Sequence, residues 1–308
     1  MRNITQLPDG RMMITTEGLL NLYDGTNFSY LHYDREDICR LSDYSGFHHE
    51  YIDAHGYMWL KNQRQLMVVD IGRECFIERP DSLLALWGID TPMKDFFMDK
   101  TKDLWVITDK DDLVRIDKTT LQASTFLNRV SLIGDTTDQV YDLGVLDGNL
   151  YLFYRSGLLI CYAMESQKEI YRQKLSDELP EGVYGNTSYV VPGTNTFYQL
   201  CNGNRGGVML AYDVERRKWN IVLQTSYWLN YLSVDKDGSI WISCHKGLWN
   251  IDAGLERKQY IPTLKLVDGR NINTEVSTLY NDSQGGMWVG TLNRGILYYH
   301  PDLSLIHI

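Results

Sequence analysis

Several residue types and patterns are scarce in this sequence of 308 residues, and each absence excludes a class of protein. Proline occurs only 7 times, which excludes collagen-like segments and proline-rich linkers. No apolar run of about 18 residues occurs, so no segment is long enough to span a membrane as a helix. The start of the chain also lacks the apolar run of a signal peptide. The 5 cysteines include no C-x-x-C spacing, so the sequence predicts neither a zinc site nor a disulfide framework.

Basic residues are outnumbered by acidic ones, 30 to 40, and the net charge of −10 argues against an extended nucleic-acid-binding surface. The sequence is rich in apolar and aromatic residues. Hydrophobic residues make up 44% and aromatic residues 12%, with 21 Tyr and 8 Trp, which supplies a large core and excludes disorder. These totals predict one large folded body.

A sequence unit of 44 to 47 residues recurs seven times. In its clearest copies an Asp precedes a Trp by six positions, at Asp53, Asp99, Asp235 and Asp282. In the other copies Met, Tyr or Phe replaces the Trp. The seven central positions are Met13, Trp59, Trp105, Tyr151, Phe197, Trp241 and Trp288. A fixed period of this length is typical of stacked supersecondary units.

A second landmark keeps the same register: a turn residue, most often Gly, is followed by an aliphatic residue. The pairs are Gly18-Leu19, Gln65-Leu66, Asp112-Leu113, Gly157-Leu158, Gly207-Val208, Gly247-Leu248 and Gly295-Ile296. Each unit reads as four short strands, and the segment closest to a helical pattern is 166–175. Four strands at this period predict an all-β, seven-bladed β-propeller of four-stranded antiparallel blades, spanning 1–308 as a single domain. The recurring Trp would fill the space between adjacent sheets. An open β-solenoid is the alternative.

The motif in residues 282–299, and almost as fully in 235–252, resembles the two-component regulator propeller repeat. That family implies the periplasmic sensor region of a Bacteroides-type hybrid two-component system. The resemblance further implies that this chain is part of a longer, homodimeric receptor with a second propeller, a membrane helix, a histidine kinase and a DNA-binding domain. The signal peptide and the membrane helix would lie outside this chain. This segment would then be non-enzymatic, without a cofactor, and would not contact nucleic acid.

Basic residues follow the central aromatic residue within a few positions in six of the seven units: Arg64, Lys110, Arg155, Arg205, Lys246 and Arg294. Glu17 takes this place in the first unit. Propeller topology would put these turns on one face, where they would favour an anionic ligand. Blade-linking loops would add aromatic rings and imidazoles on the same face, at Phe47, His48, His49, Trp87, Tyr141, Tyr184, Tyr227 and Trp228. Flat rings beside cations predict an oligosaccharide ligand, in particular a uronic-acid or sulfated one, whose sensing would regulate glycan-utilisation genes.

Other motifs carry less weight. Asp235 begins a segment like a calcium loop, but Lys246 stands where the loop requires Glu, and a simple Asp-Gly turn is favoured. His48, His49 and His55 lack the partners of a metal site, and the Gly-rich 202–207 precedes a strand rather than a helix. We therefore predict no metal and no catalytic residues. The alternatives are a propeller lyase resembling streptogramin lyases, for which His245 is the candidate, and a protein-interaction scaffold.

Overall fold

The structure, a computed structural model, describes residues 3–16, 19–43, 49–62, 64–175, 186–300 and 303–307. Its small antiparallel sheets follow one another along the chain, and the fold is the predicted seven-bladed β-propeller. The strands of each blade are lettered A to D in chain order. The chain divides into two compact units. Unit 1 comprises Met1–Leu31 and Pro180–Ile308, and unit 2 comprises His32–Leu179.

Unit 1 contains blades 1, 5, 6 and 7, each a four-stranded sheet in the order A-B-C-D. Blade 1 consists of Asn3–Gln6, Met12–Thr16, Leu19–Tyr23 and Phe28–Leu31. Blade 5 consists of Asn186–Pro192, Thr196–Gly203, Gly206–Asp213 and Lys218–Thr225. Blade 6 consists of Leu229–Val234, Ile240–Cys244, Leu248–Ile251 and Lys258–Ile261. Blade 7 consists of Val276–Asn281, Met287–Thr291, Ile296–His300 and Leu303–His307. A small hairpin, Leu264–Lys265 with Asn271–Ile272, precedes blade 7.

Unit 2 contains blades 2, 3 and 4. Blade 3 consists of Met93–Met98, Leu104–Thr108, Leu113–Ile116 and Ala123–Leu127. Blade 4 consists of Val140–Leu146, Asn149–Tyr154, Leu158–Ala163 and Glu169–Lys174, and a hairpin of Leu132–Ile133 with Thr136–Thr137 precedes it. Blade 2 has strands A to C at His49–Ile52, Tyr57–Asn62 and Gln65–Asp70. Its outer edge is divided, because Cys39–Arg40 and Cys75–Phe76 pair with opposite ends of strand C. The segment 166–175, closest to a helix by sequence, is mainly strand.

One carboxylate organises the A–B turn and holds the central Trp. In blade 3, Asp99 Oδ1 accepts hydrogen bonds from the amides of Thr101 and Asp103 at 2.7 and 3.2 Å. Asp99 Oδ2 accepts a third bond from Trp105 Nε1 at 2.7 Å. The same three bonds recur in blades 2 and 7, where Asp53 holds Trp59 at 2.8 Å and Asp282 holds Trp288 at 3.0 Å. A buried indole N–H needs an acceptor, and the Asp six positions earlier supplies it.

The copies without Trp also lack the Asp. Six positions before Met13, Tyr151 and Phe197 stand Leu7, Val145 and Val191. These central side chains have no indole N–H, so the motif loses its carboxylate where the donor is missing. Blade 6 is different: Asp235 accepts from the amide of Lys236 at 2.7 Å, and Trp241 is only partly buried. The full sequence motif is therefore present in blade 6 without the carboxylate–indole bond.

The central Trp residues fill the spaces between neighbouring blades, as the repeat predicts. Trp59 of blade 2 stacks on Phe96 of blade 3 with ring centroids 5.1 Å apart. Trp105 of blade 3 shares a buried cluster with Leu150 of blade 4. Trp288 of blade 7 lies in a buried cluster with Ile4 of blade 1. Burying aromatic area of this size is the main stabilising contribution at each of these blade contacts.

The first and last blades contact each other without exchanging a strand. Thr278 Oγ1 donates to Asn3 Oδ1 at 3.3 Å, and the Ser283 amide donates to Gln6 Oε1 at 2.8 Å. Both blades belong to unit 1, and each is made from one continuous segment of chain. Side-chain bonds and the apolar cluster around Trp288 therefore join the terminal segments.

The linker between blades 2 and 3 contains a helix that the sequence did not predict. It spans Pro80–Leu86, with Pro at its first position, where the missing N–H costs nothing. Leu84 is buried in the apolar cluster between these two blades. Pro followed by Asp81 and closely spaced leucines was the available signal. No helix among the described residues is long and apolar enough to cross a membrane.

The glycine at the B–C turn of blade 6 is required by both conformation and space. Gly247 has φ of 78°, and a Cβ there would lie 2.0 Å from the carbonyl oxygen of Ile261 on strand D. Gly285 has a similar φ of 85° but open space around it. We expect Gly285→Ala to lower the free energy of unfolding by about 1 kcal/mol and Gly247→Ala by about 2–3 kcal/mol. Urea denaturation monitored by Trp fluorescence measures both, and equal losses would show that the clash is relieved without displacing strand D.

Candidate functional site

The six basic residues predicted to follow the central aromatics all lie at B–C turns, and all six are exposed. Unit 2 presents three of them, at Arg64, Lys110 and Arg155. Unit 1 presents the other three, at Arg205, Lys246 and Arg294. The corresponding turn of blade 1, which contains Glu17, lies outside the described residues. The sequence predicted these turn positions, because each turn directly follows the apolar segment of strand B.

The turn of blade 3 does not provide the positive charge that its lysine alone suggests. Lys110 is flanked by Asp109, Asp111 and Asp112. Asp111 in turn forms an ion pair with Lys94 at 2.9 Å. Hydrogen bonds from Ser131, together with Lys94, hold the pKa of the Asp111 carboxyl below its usual value despite the opposing effect of burial. This carboxylate is therefore ionised at neutral pH, and the turn carries net negative charge.

The predicted aromatic residues fall into three groups, apart from Tyr227, which is partly buried and whose hydroxyl accepts a hydrogen bond from Trp249 Nε1 at 3.0 Å. Trp87 and Tyr141 are 8% and 3% exposed, so they pack in the protein interior and present no ring face to a ligand. Phe47, His48 and Tyr184 lie outside the described residues. Trp228 is 56% exposed, and its Nε1 donates to the carbonyl oxygen of Gly203 at 3.2 Å. Because Gly203 ends strand B of blade 5, the indole lies beside the turn that carries Arg205.

The histidines that the structure describes do not form a cluster. His49 stacks on Tyr51 with ring centroids 5.6 Å apart. The Nε2 of His55 lies 2.7 Å from the carbonyl oxygen of Lys118. His245, the candidate for lyase chemistry, has its Nδ1 3.1 Å from Glu275 Oε2, a carboxylate partner that the sequence did not suggest. Within the described part of the chain, no group of three His, Cys, Asp or Glu residues could hold a metal ion.

All five cysteines are free thiols. Cys201 and Cys244, which the sequence places at similar strand ends, are both buried and do not form a disulfide. Burial raises the pKa of the Cys39 thiol to about 11 and that of Cys201 to about 12. These two thiols are protonated at neutral pH, which makes them poor nucleophiles.

A buried ion pair in unit 2 was not predicted. Lys61 Nζ donates to Asp95 Oδ1 and to the carbonyl oxygen of Phe96, both at 2.7 Å. The Lys61 ammonium also lies 4.1 Å from the ring centroid of Phe97. The two charged side chains are 0% and 2% exposed. Lys61 follows Trp59 by two positions on strand B, where the other blades have uncharged residues.

Two clefts have similar construction, one in each unit. In each cleft the small hairpin of a blade linker forms one wall, and the B–C turn of the next blade forms another. The cleft at blade 4 measures about 650 Å³ and includes Asp138, Ser156 and Arg172. The cleft at blade 7 measures about 560 Å³ and includes Arg270 and Arg294. Both volumes fall within the range of small-molecule pockets.

Residues 272–293, which include strands A and B of blade 7, match the family model described as "Two component regulator propeller". This match covers one copy of the repeat, in blade 7. No curated protein sequence matches this propeller chain significantly.

Solved structures share the fold of the propeller chain. One is the extracellular domain assigned to a hybrid two component system of B. thetaiotaomicron, with 17% sequence identity and a TM-score of 0.65. The alignment covers 96% of this chain and 39% of that chain. A second such domain from the same organism has 16% identity and a TM-score of 0.58, over 100% of this chain and 48% of that one. The chain thus spans less than half the length of these two structures. The Cps50 (Swd1) β-propeller domain of Myceliophteria thermophila has 10% sequence identity and a TM-score of 0.60, and the alignment covers 96% of this chain and 94% of that chain.

Proposed function

We propose that this chain is the ligand-sensing propeller of a hybrid two-component receptor, and that its ligand is an acidic oligosaccharide. The regulator propeller repeat at 272–293 and the fold shared with extracellular domains of such systems support the receptor assignment. A periplasmic location, a second propeller, a homodimeric receptor and a histidine kinase elsewhere in the protein belong to the same proposal. Ligand binding would bias the receptor between two signalling states and so regulate genes for glycan use.

The observation that carries the ligand proposal is the exposed basic side chain at each described B–C turn. Arg occupies four of these six turns, and its planar guanidinium suits the bidentate recognition of carboxylate and sulfate groups. These exposed cations occur on a chain whose net charge is −10. We exclude Lys110 from the proposed contacts because three carboxylates surround it in the sequence.

An aromatic platform at blade 5 suits the sugar part of the same ligand. The exposed ring of Trp228 is fixed by its bond to Gly203, at the end of the strand that leads to Arg205. A rigid indole face beside a guanidinium offers stacking for an apolar sugar face and a charged donor for its acidic substituent. We infer that a saccharide unit is bound in this way.

The test is the variant Arg64→Ala/Arg205→Ala/Arg294→Ala, titrated calorimetrically with trigalacturonate, a sulfated chondroitin disaccharide and neutral cellotriose. We expect the acidic probes to bind the unchanged chain and the triple variant to bind them at least about tenfold more weakly, because charged hydrogen bonds contribute about 1.5–3 kcal/mol each. The matched control is Arg73→Ala/Arg216→Ala/Arg257→Ala, which removes three exposed arginines from C–D turns. If the two triple variants lost equal affinity for the acidic probes, the loss would reflect only the overall charge of the chain, which would contradict the proposal.

A further inference from the structure

The cleft at blade 7 contains charged and polar groups that the assignment of the B–C turns does not use. Its walls come from two elements of unit 1: the hairpin of Leu264–Lys265 with Asn271–Ile272, and the B–C turn of residues 292–295. Among the eight described residues that line it, two are arginines, three are asparagines and none is acidic. The comparable cleft at blade 4 also has two basic residues, Arg172 and Lys174, but it includes Asp138. The blade 7 cleft therefore has the lining better suited to an anion.

The two guanidinium groups come from opposite walls. Arg270 lies at the end of the hairpin turn, and its Nε donates to Asp268 Oδ2 at 2.6 Å. This bond uses Nε and leaves the terminal N–H groups of the guanidinium to other acceptors. Arg294 lies in the B–C turn, where its amide donates to Thr291 Oγ1 at 2.9 Å. An anion between the walls would accept hydrogen bonds from both arginines.

The other lining residues have the mixed character that a sugar ring requires. Asn271, Asn273 and Asn293 supply amide groups that can bond to hydroxyls. Leu266 and Ile272 supply apolar surface for the C–H faces of a ring. Small-molecule sites generally combine an apolar lining with a few convergent polar groups.

Hydrogen bonds between the two walls organise the cleft before any ligand binds. Thr274 Oγ1 donates to Asn293 Oδ1 at 3.0 Å, and the Leu292 amide donates to the carbonyl oxygen of Glu275 at 3.2 Å. Within the hairpin wall, Thr263 Oγ1 donates to Asn273 Oδ1 at 2.8 Å and joins the two ends of the hairpin. A site whose walls are already joined loses less conformational entropy on binding.

We propose that the blade 7 cleft binds one acidic sugar residue, a uronate or a sulfated monosaccharide unit, with its anionic group between Arg270 and Arg294. The proposal rests on the proposed function, because it assigns a location to the acidic ligand. It adds Arg270 as a specificity residue for the anionic group. Since Arg270 is not part of the B–C turns, its replacement separates this cleft from the wider set of basic turn residues.

The experiment titrates Arg270→Ala with the same three probes. We expect binding of trigalacturonate or of the sulfated disaccharide to weaken at least about tenfold, which corresponds to the loss of one charged hydrogen-bonding partner. Arg270 is 72% exposed and forms only a surface ion pair, so the variant should keep the thermal midpoint of the unchanged chain. The matched control is Arg172→Ala/Lys174→Ala in the blade 4 cleft, which should leave affinity unchanged.

Hydrogen exchange gives a second readout that does not depend on any substitution. Bound acidic probe should slow amide exchange in 264–273 and 292–295 relative to cellotriose. If Arg270→Ala binds the acidic probes normally while the triple B–C variant does not, the cleft assignment is overturned and the proposed function stands. If the unchanged chain binds none of the acidic probes, both are overturned. A loss in the blade 4 control without a loss in Arg270→Ala also overturns the assignment.

Discussion

Replacing Lys61 with methionine is expected to lower the free energy of unfolding by about 3–5 kcal/mol, because it leaves a buried carboxylate without its counter-charge. Asp95 is 2% exposed, and its Oδ2 has no hydrogen-bond partner among the described residues. The Lys61 ammonium is thus its principal compensation. Methionine retains most of the volume of the lysine stem, so the loss reports the charge rather than a cavity. Urea denaturation monitored by Trp fluorescence measures it.

Two further variants separate the buried pair from ordinary surface electrostatics. Lys94→Met removes an ion pair with Asp111 whose side chains are 32% and 18% exposed, and it should cost no more than about 1 kcal/mol. The double variant Lys61→Met/Asp95→Leu should recover most of the stability, because apolar replacements of a buried pair are often neutral. A double variant as unstable as Lys61→Met alone would contradict the electrostatic explanation.

The effect of Lys61→Met should also depend on pH. Burial raises the pKa of Asp95 above its ordinary value of 3.8, although the adjacent Lys61 acts to lower it. A raised folded-state pKa means that this group stabilises the fold most below pH 3.8, and that this contribution is lost as pH rises through the folded-state value. Removing Lys61 raises the folded-state pKa further. The difference in free energy of unfolding between the unchanged chain and Lys61→Met should therefore shrink as pH is lowered. A difference that stays constant with pH would contradict this explanation.

Replacing Asp99 with valine is expected to cost about 3–5 kcal/mol, because it leaves two buried donors unpaired. These donors are Trp105 Nε1 and the amide of Asp103. Trp105 itself is fully buried, so water cannot replace the lost acceptor without disturbing the packing of blades 3 and 4. Chemical denaturation measures the loss, and near-UV circular dichroism reports the environment of the indole.

The chain itself supplies the compensating substitution. Phe197 and Val191 occupy in blade 5 the positions that Trp105 and Asp99 occupy in blade 3. Asp99→Val/Trp105→Phe should therefore lose less stability than the sum of its single variants, because removing the indole N–H removes the need for an acceptor. The control is Asp235→Val in blade 6, where the carboxylate does not bond to Trp241, and a loss of about 1 kcal/mol is expected. Additive losses in blade 3 would show that the carboxylate acts on the turn alone.

The fold could be predicted because its signals are local and repeated. The sequence pattern predicts strands of blade 7 at 276–280, 286–291 and 295–299, and they lie at Val276–Asn281, Met287–Thr291 and Ile296–His300. The outer edge of blade 2 could not be predicted, because Cys39–Arg40 pairs with Gln65–Asp70 although strands A and B of the blade separate them in the sequence. The helix at Pro80–Leu86 was missed because it is short and interrupts an otherwise regular β pattern.

The candidate site was less predictable than the fold. Six basic residues could be assigned to B–C turns because each stands between the central aromatic residue and the next apolar strand. Trp87 and Tyr141 were predicted to face a ligand, but they are buried in the interior. Sequence position identifies the loop that carries a ring, but neighbouring elements decide whether the ring turns inward. The position of Arg270 in a cleft depends likewise on a hairpin meeting the turn of the next blade.

The few prolines, the lack of long apolar runs and the sevenfold repeat together determined, from sequence alone, a seven-bladed all-β chain with basic turns. They could do so because strand period, turn chemistry and the Asp–Trp bond all act within about ten residues of chain. Tertiary structure alone decided the pairing of Lys61 with Asp95, the burial of Trp87 and the two walls of the blade 7 cleft. These features join residues from different elements, and their energies depend on burial and on the distance between groups, which a pattern in the sequence does not encode.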